Sequence, residues 1–138
     1  MRLIRNLALG AIVLGFGCND PTNASIASAV SGSWVRVEEH PGSDFEMSLV
    51  AHGTSLSGTG NFIVEAGPRG TMTVEGAVSG DTVNLDFTLS TELTDPNVVS
   101  TGHFEGSLVF GALRGRTVFY SQPADISFGP TVFVRKHR

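Results

Sequence analysis

The side chains best suited to acid–base or metal chemistry in this 138-residue chain are four histidines, His40, His52, His103 and His137, and they are scattered. None falls in the H-x-H or H-E-x-x-H spacing that brings two imidazoles onto one metal. Serine is abundant, yet no G-x-S-x-G nucleophile elbow occurs. Glu75 and Glu105 both sit in runs that alternate apolar and polar residues, so they read as solvated carboxylates on strand faces. The single cysteine, Cys18, excludes an internal disulfide and a multi-cysteine zinc site. No catalytic residue, metal ligand or cofactor is therefore assigned, and a non-enzymatic role is expected.

Cys18 has a different context. Met1-Arg2-Leu3-Ile4-Arg5 is basic, and the uncharged, apolar run from Leu7 to Gly17 follows it. A spanning helix needs about 20 apolar residues, whereas a short apolar run behind a basic start marks a secretory signal. Polarity then changes abruptly at Asn19-Asp20-Pro21-Thr22-Asn23. Residues 1–18 resemble the bacterial lipoprotein signal, in which a small residue precedes a cysteine that becomes lipidated and forms the new N-terminus. In that family Leu usually stands three places before the cysteine; here Gly15 does, with Leu14 beside it. The resemblance implies a signal peptide over 1–17, lipidation at Cys18 and a place in the bacterial cell envelope. An ordinary cleaved signal is the alternative, with Ala27-Ser28-Ala29 as its A-x-A site.

Charge excludes some partners. Nine Lys and Arg stand against 13 Asp and Glu, a net charge of −4, which gives no bulk attraction to nucleic-acid phosphates. Loss of Arg2 and Arg5 with the signal makes the mature chain more acidic still. Membrane attachment would then come from acyl chains rather than from a basic surface. Arg135-Lys136-His137-Arg138 reads as a solvated chain end.

The elements that must position these residues are strands. Residues 18–32, rich in Ser, Ala, Asn and Thr, read as a lipidated N-terminus and flexible tether. Beyond them, over 33–138, period-two alternation dominates, most cleanly where Val83, Leu85, Phe87 and Leu89 alternate with Thr82, Asn84, Asp86 and Thr88. Eight strands are expected near 33–39, 44–51, 54–64, 70–79, 82–90, 100–109, 112–120 and 127–135. Tight connections around 52–53, 80–81 and 111 alternate with longer ones at 41–42, 66–69, 91–99 and 122–125. That alternation puts tight turns at one end and a mouth at the other, as in an all-β, eight-stranded antiparallel up-and-down barrel. Glycines within strands, Gly58, Gly60, Gly76, Gly106 and Gly115, fit a strongly coiled sheet.

Gly32-Ser33-Trp34, joined to eight strands and a terminal Arg135, resembles the opening of the calycin barrels, the superfamily of lipocalins and avidins. The resemblance implies that Trp34 plugs the closed end and that Arg135 lies across it. The biotin site of the avidins does not carry over. Their L-x-G-x-Y-x-S pattern becomes Leu56-Ser57-Gly58-Thr59-Gly60-Asn61-Phe62 here, and their strand-one Asn becomes Arg36.

With Trp34 facing inward, Arg36 and Glu38 share its face and could anchor a ligand's head group. Alternatively, a bulge turns Val35 and Val37 inward and both charges outward, which the cost of burying an Arg–Glu pair favours. Phe62, Phe87, Phe104 and Phe119 complete the candidate ligand-binding set. A barrel of eight strands can be filled by its own side chains, so two functions are expected. One is a binding module for a small, partly apolar ligand at the mouth; the other is a filled barrel whose loops contact an envelope protein.

Overall fold

The computed structural model describes residues 21–37, 44–63, 69–91, 100–120 and 126–137. A helix, α1 (Pro21–Val30), precedes eight strands: β1 (Gly32–Arg36), β2 (Asp44–His52), β3 (Ser55–Ile63), β4 (Arg69–Ser79), β5 (Thr82–Thr91), β6 (Ser100–Val109), β7 (Ala112–Tyr120) and β8 (Ile126–Arg135). Each strand pairs antiparallel with its neighbour in sequence, and β1 pairs with β8, so the meander closes into a barrel. The expected architecture is the observed one.

Alternation decides which residues point inward. In β5, Val83, Leu85, Phe87 and Leu89 are buried while Asp86, Thr88 and Ser90 are exposed. A one-residue slip would exchange the two sets, so burial itself holds the register. At Gly58 and Gly76 the walls come too close for a side chain. A Cβ at Gly58 would collide with the Ser48 carbonyl, and one at Gly76 with the Asn84 carbonyl. Such close approach lets a small barrel coil tightly.

The seam of β7 and β8 holds an irregularity. Gly115 is opposite Thr131 but Thr117 is opposite Phe128, so β8 carries one additional residue there. The extra length falls at Gly129-Pro130, where proline has no amide to give to a ladder. The bulge preserves the inward set on β8, with Thr131 and Phe133 buried.

One expectation is corrected. The stretch read as a flexible tether is helical over Pro21–Val30. Ala27 and Val30 are fully buried and Ile26 packs against the same core, so one face of α1 covers the end of the barrel that carries the tight turns. A helix of ten residues is marginal in isolation; its stability comes from that tertiary contact, which composition alone does not reveal.

Candidate functional site

The barrel has two unlike ends. At the end with tight turns, the indole of Trp34, fully buried, donates from Nε1 to the carbonyl of Val30 at 2.7 Å. The Arg135 guanidinium lies 4.1 Å from the Trp34 ring centroid and donates to the carbonyls of Ala29 and Ser31. Orphan carbonyls at the C-terminus of α1 thus receive an indole N–H and a cation, the sign that the helix dipole favours. The Ser31 amide donates back to Ala27 at 3.1 Å, and the Ser31 hydroxyl accepts from the amide of Ala51 at 2.9 Å. Trp34 and Arg135 are directly opposite each other across β1 and β8, at the end of the barrel that α1 covers. The helix they hold was not legible as part of it.

Above this plug the interior is packed. Phe45 is the hub, with ring centroids 5.3 Å from Phe87, 6.1 Å from Phe119 and 5.6 Å from Phe133. Phe133 in turn meets Phe104 at 5.4 Å, edge to face. Such tilted contacts add to the burial of the rings. Of the candidate ligand residues, Phe87 and Phe104 are thus core: both are essentially inaccessible. Phe62 is buried near the open end of β3, and Phe119 is partly buried near the open end of β7. Phe45 and Phe133 are the aromatic members the sequence analysis did not single out, although Phe45 lies in an alternating run.

Arg36 follows Trp34 on the inward face. It stands opposite Phe133, and its guanidinium carbon lies 5.8 Å from the Phe45 ring centroid. The bulge that would reverse β1 does not occur. Val35 is opposite Val134 on the outer wall, and Val37 is 49% exposed. The partner invoked for Arg36, Glu38, lies outside the described residues, as do Cys18, His40 and most of the loops at the mouth.

A further polar group lies within the core. Thr117 is an inward residue of β7, one inward position below Phe119, and 2% exposed. Its hydroxyl has no hydrogen-bond partner among the described residues. A buried hydroxyl in that state costs about 1–3 kcal/mol relative to a satisfied one.

The outer wall carries polar pairs. His103 and Asp86 face each other across β5 and β6, with Nδ1 and Oδ1 2.7 Å apart, and Lys136 reaches Glu46 at 2.6 Å. An open concavity of about 310 Å³ lies beside His103, Glu105 and Arg116. Another of about 400 Å³ runs past Ser48, Thr59, Thr73 and Lys136. Both are on the outside of the sheet. No protein-family model, curated protein or solved structure matches this chain.

Proposed function

We propose that this chain is an exported bacterial lipoprotein with a calycin-like barrel that binds a small, partly apolar ligand at its open end. The observation that carries the binding reading is Arg36. A guanidinium sits on an inward-facing position at the end of β1, over the ring of Phe45, which in turn packs on Phe87 and Phe119 to form an aromatic floor. A cation over an aromatic face, beside apolar surface, matches a ligand with an anionic or strongly polar head and an apolar body. Because the aromatic cluster fills the centre, the ligand sits on this floor rather than deep in the lumen.

Lipid anchoring gains support from α1. Cleavage after Ala29 would cut away the helix whose Ala27 and Val30 seal the barrel. Processing at Cys18 leaves that helix in the mature protein. The filled centre also favours a second reading, in which the loops of the mouth contact an envelope protein and no small molecule is held.

Native mass spectrometry of protein purified from its own host separates the two. A retained mass that disappears in Arg36→Met supports the ligand reading. A bare protein mass, together with co-purification of a stoichiometric partner, replaces it with the second. Mass analysis of the same sample reads acylation of Cys18 directly, and a chain of unmodified mass would end the anchoring proposal.

A further inference from the structure

The hairpin joining β6 to β7 turns through Phe110 and Gly111, both with positive φ, 50° and 77°. Two left-handed residues in a two-residue turn are the type I′ pattern, which normally takes Asn-Gly or Asp-Gly. Phenylalanine is a poor residue for that backbone, since its Cβ crowds the carbonyl. Nor does burial compensate: Phe110 is 101% exposed, the largest exposure of any hydrophobic residue described, and Val109 beside it is 37% exposed. The other two tight turns, at Gly53-Thr54 and Gly80-Asp81, put glycine at the strained position. An aromatic ring held in a disfavoured conformation and covered by none of the described residues calls for an external partner.

Position identifies that partner. Phe110 stands at the end of the barrel that α1 covers, the end away from the mouth. Counting back from Pro21, three residues reach Cys18, a span of at most about 11 Å of extended chain. We infer that the Phe110 turn is a membrane-contact tip: it enters the interfacial layer of the bilayer that anchors Cys18, so the barrel stands closed end down with its mouth away from the lipid. The inference rests on the lipoprotein reading of Cys18. Among the exposed charged residues described at this end, Arg135 is engaged by the α1 carbonyls and Lys136 by Glu46, and Asp81 and Arg114 are of opposite sign, so the contact is apolar and a zwitterionic surface suffices.

The test supplies the tether chemically, which separates this inference from natural acylation. The chain from Cys18 onward, whose one thiol is Cys18, is coupled to a maleimide lipid in phosphatidylcholine vesicles that contain lipid brominated high on the acyl chain. Phe110→Trp reports contact at the turn, and Tyr120→Trp reports the opposite end of β7; the buried Trp34 gives a background measured in the parent chain. Bromolipid should quench the Phe110→Trp indole at least about twofold more than the Tyr120→Trp indole, with a blue shift only on vesicles, as burial of an aromatic ring at an interface requires. Equal or weaker quenching at position 110 overturns the inference. So does a blue shift without vesicles that grows with protein concentration, because a second copy would then be what covers the ring. Acylation of the native chain is read by its mass alone, and that result does not alter the outcome on vesicles.

Discussion

Two single residues cost local stability, and both are open to substitution. Thr117 buries a hydroxyl that has no partner among the described residues. Thr117→Val keeps the shape and removes the polar atom, so the free protein should gain about 1 kcal/mol in denaturant unfolding. Because the hydroxyl lies beneath Phe119 and the aromatic floor, the same variant should retain as much ligand in native mass spectrometry as the parent. Phe110 holds a left-handed backbone that its side chain disfavours. Phe110→Asn should raise the thermal midpoint, with a gain of about 0.5–1 kcal/mol, since Asn tolerates that conformation. Both were hard to see in the sequence for one reason. Alternation tells which face a residue occupies, but not whether its hydroxyl finds a partner or which turn type a Phe-Gly pair must adopt.

At the scale of elements, α1 is the part that needs the rest of the molecule to exist. Its apolar residues Ile26, Ala27 and Val30 are few and lie among Ser, Thr and Asn, a composition that also describes a linker. What makes it a helix is a barrel end to cover and an Arg135 that reaches from the last strand to its final carbonyls. Arg135→Ala removes the cation over Trp34 and the cap together. The expected cost is about 1–2 kcal/mol, with loss of helical signal in far-UV circular dichroism before the strand signal melts. A fully cooperative, unshifted transition would show instead that the helix does not depend on this contact. Strands behave oppositely. The positions of β6 and β7 coincide with the runs read from alternation because both faces of each strand are chemically marked.

For the molecule as a whole, closure is the property that matters. Joining β1 to β8 leaves no free sheet edge, which removes the template for edge-to-edge aggregation. The seam is also the shortest pairing: Trp34, Val35 and Arg36 oppose Arg135, Val134 and Phe133, whereas β3 pairs with β4 along its whole length. Native-state hydrogen exchange should therefore find β1 and the C-terminal part of β8 opening at lower free energy than the centres of β4 and β5. Uniform protection around the barrel would contradict this. The same closure sets the geometry of the proposed site, because it stacks Arg36 above Phe45 and places the mouth opposite α1.

Period-two alternation, turn residues and loop lengths were enough to determine the eight strands, their meander order and four of the inward phenylalanines, Phe62, Phe87, Phe104 and Phe119. Those features depend on local geometry and on the simple partition of apolar side chains from water, which each segment expresses by itself. Tertiary structure alone decided the rest: the helix at the closed end, the inward direction of Arg36, the strand bulge at Gly129-Pro130, and Phe45 and Phe133 as members of the aromatic core, together with a Thr117 hydroxyl that has no partner among the described residues. Each depends on a group distant in the chain arriving at a particular place, and no segment carries that information until the first strand meets the last.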